Sequence, residues 1–483
     1  ALVDVYRENK TDLKMADFKL SKNDLFNLPA GPVGFLAGAE WREESYDDNR
    51  DPRLDGTIPF TNRNGITFPY ISDVMNSSPS SDSSGSRKTT SLFAEFAVPV
   101  FSNFDLQLAA RYEHASDYGS YTVPKVAFGW RIFEPLLIRG SWSKAFRAPN
   151  LITVNESLVV RTNTISNQVC AYAEEFGGEG AEDELVCSGG VQRRAEGNLN
   201  LDPEKSTNTS IGMVWTPLES LMVTLDFWSI EKKDTIGLFG EENATLLDLL
   251  LRLEAGTSNC GSVVGNPAIG YGEVDPDDIP YYLAAGVCPI GQTVYIEDNY
   301  QNLDTRTVKG HDIGVYYSLD TGWGEWDFTA RGTFYDTYEQ QAGGAAALLI
   351  KAGQEGVLPP GYYPEGFADL IRQDGNQANK YNFSLGWRKN AWGANVNAFY
   401  LSSFIQTSLT LSDGTKYVIP SVTTWNASVD YRFDLWKSES RLRFGINNLT
   451  NKRAPLADRY FGYFADAHTD LGRYFYVDLR MGF

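Results

Sequence analysis

The chain has 483 residues and carries 42 Lys plus Arg against 62 Asp plus Glu, a net charge of −20, so it lacks the basic face that a nucleic acid would require. No stretch approaches the run of about eighteen apolar residues that a membrane-spanning helix needs; the most apolar, residues 246–253, is short and holds Asp248 and Arg252. Phe, Tyr and Gly are abundant at 27, 26 and 44 while His and Met are scarce at 3 and 5, a β-rich and turn-rich composition.

A weak strand over residues 13–20 is followed by a turn at Asn27–Pro32 and a clear strand over 33–44, in which Val33, Phe35, Ala37, Ala39 and Trp41 share one face. Residues 45–89, rich in Asp, Asn, Ser and Pro, read as a long loop. The next hairpin turns at residues 101–103 and sets Leu92, Ala94, Phe96 and Val98 beside Leu106, Leu108, Ala110 and Tyr112. Its other face carries Asp105, Gln107, Arg111 and Glu113, a wall suited to water. Val126, Phe128, Trp130 and Ile132, then Leu136, Ile138 and Trp142, repeat the pattern with Lys125, Arg131 and Arg139 opposite.

A second loop at 146–205 leads to strands over 209–215 and 221–227, whose polar face includes Asp226. The longest loop, 233–304, holds a helix at 244–253 and precedes strands over 313–319 and 326–334, with Asp327 and Arg331 on the polar side. After a loop at 338–378 come strands centred on Phe383, Val396, Val429 and Phe444, with Asp430, Arg441 and Arg443 opposite the apolar positions. The closing strand, 471–483, puts Phe475, Val477, Leu479, Met481 and Phe483 on one uncharged face.

About fifteen strands result, joined alternately by short turns and by long polar loops. That asymmetry is expected of an antiparallel transmembrane β-barrel with short periplasmic turns and long extracellular loops, and a soluble sandwich has no reason to show it. The fold class is therefore all-β, and residues 1–483 read as one barrel domain.

The four cysteines fall in the long loops as two sequence-local pairs, Cys170 with Cys187 and Cys260 with Cys288. Neither spacing matches a metal signature, so two disulfides outside the cytoplasm are expected, and no metal or cofactor. His114 and His468 lie at strand-to-loop edges and His311 among polar strand residues, with no triad signature beside them. The chain does not read as an enzyme, and a Ser or Thr approaching one of these histidines is the feature that an enzyme on this scaffold would need. Gly177–Gly180 lacks the lysine of a phosphate loop, and Asp275–Asp278 lacks the spaced ligands of a calcium loop.

The ligand surface is expected among loop aromatics, because exposed rings stack on sugars and flat chelates at low entropic cost. The candidates are Tyr172, Phe176, Tyr271, Tyr281, Tyr282, Tyr362, Tyr363, Phe367, Tyr460, Phe461, Tyr463 and Phe464.

The terminal strand ending in Phe resembles the segment by which outer-membrane barrels of Gram-negative bacteria are recognised for assembly. Ser143-Lys-Ala-Phe-Arg-Ala-Pro-Asn-Leu151, Asn200-Leu-Asp-Pro-Glu-Lys205 and Gly445-Ile-Asn-Asn-Leu-Thr-Asn-Lys-Arg-Ala-Pro455 resemble TonB-dependent receptors, the active transporters of that membrane. Leu28–Gly34 and Glu40–Glu44 extend the resemblance over nearly the whole chain. Physically, Pro149 ends a strand and Asn447, Asn448 and Asn451 suit a bend, so these motifs read as structural rather than ligand-binding.

The resemblance implies capture and import of a scarce nutrient, such as a siderophore-iron complex, an oligosaccharide or a peptide. Its implied partners are TonB, a plug domain filling the lumen, and outer-membrane lipid and lipopolysaccharide. A passive porin is the alternative, and a barrel-scaffold enzyme a more distant one. The family pairs its plug with a barrel of about 22 strands, whereas this chain shows about fifteen strands, no plug and no TonB-binding segment. The chain also opens at Ala1. The expectation is a C-terminal part of a barrel, with unpaired edges at its first and last strands.

Overall fold

The computed structural model describes residues 4–482 apart from 62, 64, 66, 69, 75, 76, 436, 437 and 460, and apart from the side chain of Phe68. Fifteen strands form one sheet in which each pairs with its neighbours in the series, every pair antiparallel. They are β1 (Arg7–Lys22), β2 (Gly34–Arg50), β3 (Ser83–Phe101), β4 (Phe104–Ala115) and β5 (Gly119–Phe133). Next come β6 (Leu136–Arg147), β7 (Glu204–Leu218), β8 (Leu221–Lys233), β9 (Arg306–Thr321) and β10 (Gly324–Gln340). The series ends with β11 (Asn379–Lys389), β12 (Trp392–Leu401), β13 (Val422–Leu435), β14 (Ser438–Asn447) and β15 (Tyr474–Arg480).

Register turns the alternation of each strand into two continuous faces, since a side-chain period of two keeps like parity together across a ladder. Ile138 pairs with Met213, Met213 with Leu225 and Leu225 with Ile313, all on one apolar face. Arg139 and Asp226 each pair with Gly212 on the other face. The apolar face is not covered by the protein itself: Leu92, Ile211, Phe444 and Val477 are 56%, 55%, 58% and 63% exposed. A surface of that size on a folded protein is stable only against lipid.

Two aromatic bands bound this face. Near the long loops the rings of Phe227, His311, Phe334, Tyr381 and Tyr400 form an unbroken row with successive centroids 5.7, 4.8, 5.5 and 5.2 Å apart. Near the short turns stand Trp326 and Trp387, 6.3 Å apart, and Trp392 and Tyr431, 4.8 Å apart. Trp326 and Phe334 sit at matching levels of the two bands on β10, and eight residues of strand span about 26 Å, close to the apolar height of a transmembrane barrel. His311 therefore belongs to the apolar face, not among the polar strand residues where its sequence neighbours suggested.

The strands at the long-loop end run further than alternation indicates. β2 continues to Arg50 and β3 begins at Ser83, so the first loop is shorter than 45–89. These extensions read Ser-Tyr-Asp-Asp-Asn and Ser-Ser-Gly-Ser-Arg, polar on both faces, and so carry no period-two signal. Phe483, assigned to the closing strand, lies outside the described residues.

β1 pairs only with β2 and β15 only with β14, so among the described residues the sheet is open and the barrel does not close. All of β1 is exposed.

Candidate functional site

The three longest loops do not stay separate. The first supplies the strands Val159–Ser166 and Ser188–Ala195 and helix α1 (Gln168–Phe176). The second supplies α2 (Glu241–Ala255), α3 (Ile279–Ala284) and the strands Ile269–Tyr271 and Thr293–Glu297, and the third supplies α4 (Gly344–Gln354). The four loop strands make a second sheet in which Ser188–Ala195 pairs in parallel with Thr293–Glu297. Val169 and Ala173 from α1, Leu246 and Leu249 from α2, Tyr282 from α3 and Leu349 from α4 share one buried core. The loops thus build a roof with its own interior at the end of the sheet opposite the short turns.

Local chemistry explains its parts. Asn167 caps α1, its Oδ1 accepting from the backbone N–H of Val169 at 2.9 Å and of Cys170 at 3.3 Å. The disulfides are Cys170–Cys187 and Cys260–Cys288, with Cα separations of 5.2 and 5.3 Å. Asp248, fully buried on α2, accepts from Arg252 Nε at 2.8 Å, Tyr271 Oη at 2.8 Å and Asn266 N at 2.5 Å, so its charge is met by three donors. Burial, with the Asp248 charge beside it, pushes the Tyr271 hydroxyl well above its ordinary range.

Most of the aromatics expected to meet a ligand take part in this packing. Tyr282, Tyr362, Phe367 and Phe464 are buried, at 3%, 8%, 9% and 6% exposure. Tyr271 is held on Asp248, and Tyr281 packs against the roof core. Tyr172 lies 4.6 Å from Phe176 and 5.8 Å from Tyr362, ring to ring, and the Tyr362 hydroxyl donates to Glu175. Phe461 and Tyr463, 6.3 Å apart, stand with Phe464 on the final loop. Phe176, Tyr363 and Phe461 are exposed. Tyr460 lies outside the described residues. A cavity of about 450 Å³ beside the first disulfide carries Glu184, Glu273, Asp275 and Asp278. Burial and the neighbouring Asp275 raise the Asp278 carboxyl.

Below the roof, the polar face holds an arrangement that alternation did not reveal. Trp228 on β8 and Tyr335 on β10 meet edge to face at 5.7 Å across β9. The strand between them carries Gly310, where an added Cβ would come within 2.6 Å of Trp228 Cζ2. A register shift between Lys309 and Gly310 places Gly310 opposite Tyr335. Lys380 Nζ stands 5.5 Å from the centre of the Tyr335 ring, the distance of a cation–π contact. Beside them a cavity of about 170 Å³ is lined by Tyr338, Asn376 and Gln377, and the buried Nε2 of Gln377 has no hydrogen-bond partner among the described residues. The signal was present in the chain: Trp228 shares parity with Asp226, an aromatic ring on a water-facing wall.

The remainder of that wall is charged. Arg139 bridges to Asp226, Arg111 to Glu40 at 3.2 Å and Glu113 at 3.0 Å, and Arg443 lies 3.5 Å from Asp430. Arg441 meets Asp478 at 3.1 Å and Ser318 donates to Asp327 at 2.7 Å.

The sequence motifs have structural roles. Glu204, 1% exposed, binds Arg147 and Lys232 and accepts from Ile236 N, tying β6, β7 and β8 together. Asn448 and Asn451 each adopt φ of 53°, a left-handed turn that Asn tolerates. His114 Nδ1 does lie 2.9 Å from Ser120 Oγ, but the two are cross-strand partners on the exposed rim. No carboxylate orients His114 among the described residues. His311 has Asp336 at 3.0 Å, on a different pair of strands.

A lipid-suited strand wall, short turns at one end, a disulfide-braced roof at the other and a polar inner face define an outer-membrane type of β-barrel. A model of the family described as TonB dependent receptor-like, beta-barrel, matches residues 4–449, and the chain belongs to that family. It is 23% identical over 215 residues to the probable TonB-dependent siderophore receptor PirA of Acinetobacter baumannii, covering 38% of this chain and 26% of that protein. The crystal structure of PirA from the same organism superposes with a TM-score of 0.59 at 16% identity, covering 99% of this chain and 55% of that one. The ferric enterobactin receptor PfeA of Pseudomonas aeruginosa, as its G324V mutant, gives 0.60 at 16% identity, covering 98% and 54%. The chain thus spans about half the length of the solved relatives and about a quarter of the curated one.

Proposed function

We propose that this chain is the barrel portion of an outer-membrane, TonB-dependent receptor of Gram-negative bacteria that imports a siderophore-type iron chelate. The family match over residues 4–449 carries this reading, supported by the ring, ammonium and free amide that converge at Trp228, Tyr335, Lys380 and Gln377. A flat, anionic chelate is what such a platform suits: it stacks on the rings, offsets the ammonium and accepts from the amide. Exposed Phe176 and Tyr363 on the roof make first contact.

On this reading the plug domain, the TonB-binding segment and the strands that close the ring lie outside this chain. The support is physical: an open strand edge in hydrocarbon leaves backbone groups unpaired at a cost of several kcal/mol each, and β1 and β15 each present one such edge.

The test is uptake of radiolabelled ferric siderophores by cells carrying the full-length protein. Deletion of TonB abolishes uptake, and Tyr335→Ala with Lys380→Ala weakens chelate binding by about tenfold or more with surface abundance unchanged. Uptake that persists without TonB replaces this reading with a passive porin.

A further inference from the structure

The sheet comes apart at one place. β5 and β6 pair from Leu136 to Ser143. Beyond Ser143, residues Lys144–Arg147 pair only with β7, while Gly119–Pro124 of β5 pair only with β4. The backbone groups that face each other across this fork have no strand partner among the described residues. A cavity of about 320 Å³ occupies the fork.

Three ammonium groups converge on it, from Lys144, Lys205 and Lys233, with Glu231 the one carboxylate in the lining. Lys205 is shared with Asp234 at 2.9 Å and Lys233 with Glu231 at 3.3 Å, whereas Lys144 has no ion-pair partner among the described residues. Tyr121 and Phe146, one from each lip, stack at 4.9 Å. Register sets Lys144, Phe146, Lys205 and Lys233 on the apolar face: Lys144 stands two positions past Trp142, and Lys205 pairs with both Phe146 and Lys233. Cations at this level do not point into the polar interior of the protein. They stand where an apolar surface ends and an interfacial layer begins.

We propose that the fork is a binding site for a phosphorylated lipid headgroup, with the acyl chains lying on the apolar face below it. Unpaired backbone N–H groups and lysine ammonium groups together make an anion site, long lysine stems reach upward from apolar surface, and aromatic rings favour the interfacial level. Free phosphate shares the chemistry but gains nothing from the apolar face beneath. The proposal rests on that face meeting lipid.

The experiment uses the full-length receptor released from membranes and offered bis-phosphorylated lipid A, the same lipid with its phosphates removed, or inorganic phosphate, with bound molecules counted by native mass spectrometry. The parent protein retains the phosphorylated lipid, the dephosphorylated lipid binds about tenfold more weakly, and millimolar phosphate does not displace it. Lys144→Gln with Lys205→Gln and Lys233→Gln loses that retention, and the corresponding triple change to Arg keeps it, which separates charge from folding. Equal retention by the Gln variant, or displacement by inorganic phosphate at the lipid's own concentration, overturns the proposal. A receptor that fails to enter lipid nanodiscs at all refutes the membrane reading instead, so the two failures are distinguishable.

Discussion

Arg139 on β6 reaches over β7 to Asp226 on β8, Nε to Oδ1 at 2.9 Å and Nη2 to Oδ2 at 2.6 Å. The residue passed over, paired in register with both, is Gly212, and a Cβ there would collide with Asp226 Oδ1. A glycine in a strand normally weakens it, and here its absent side chain is the channel through which a two-strand span becomes a bidentate ion pair. Gly393 repeats the device, lying between Arg388 and Asp430.

Gly212→Ala therefore destabilises the full-length receptor in detergent by about 1–3 kcal/mol, the usual scale of overpacking. Asp226→Ala removes the colliding atoms, so the double variant is less destabilised than the sum of the two single changes. Thermal unfolding of the four proteins measures the coupling, and strict additivity would show that Gly212 does not make room for the pair.

The roof depends on Asp248. Asp248→Ala leaves the Arg252 guanidinium, 8% exposed, buried without its partner, at a cost of about 3–5 kcal/mol. Hydrogen exchange should accelerate across residues 234–305 while protection in β8 and β9 holds. Equal loss in both would show that roof and sheet unfold as one unit.

Each disulfide closes a loop within one segment of the chain. Replacing Cys170 and Cys187 by Ala releases a closure worth about 3 kcal/mol, and the longer Cys260–Cys288 closure slightly more. Limited trypsin digestion of each double variant should cut its own loop first and leave the other intact.

His468 gives the final loop a pH response. It is 8% exposed, its ring lies 5.9 Å from that of Phe404, and its Nε2 has no partner among the described residues. Burial lowers its pKa below the ordinary 6.5. A depressed histidine is neutral when folded and gains its proton more readily when unfolded. Its stabilising contribution is therefore complete above about pH 6.5 and is lost as pH falls from there toward the folded pKa. Protection factors for residues 449–473 should drop between pH 7 and 5 in the parent protein, and His468→Phe should flatten that dependence.

Strand order and faces were legible because membrane strands must alternate, and alternation survives in single residues such as Leu106 to Tyr112. The roof was not legible. Its strands pair with partners in other loops, its helix α2 carries Asp248 and Arg252 among its leucines, and only its cysteines announced a fixed structure. The aromatic roll failed to separate binder from filler for the same reason: Tyr282 and Phe176 are both loop aromatics, and only the tertiary fold buries one and exposes the other. Trp228 escaped notice because one ring on a charged wall looks like noise until Gly310 and the shifted register bring Tyr335 to it.

The parallel pairing within the roof also sets an order of assembly. Gln192 meets Tyr295 about a hundred residues later in the chain, and the whole β7–β8 hairpin lies between them. Contacts of such long sequence separation form late, since the chain entropy of closing that interval must be lost first. The disulfide loops can close early and alone, but the roof sheet must wait until the hairpin has taken its register. A slip of β7 against β8 would consequently be written first at the cell surface, as a roof that never knits, while the strands beneath it still pair.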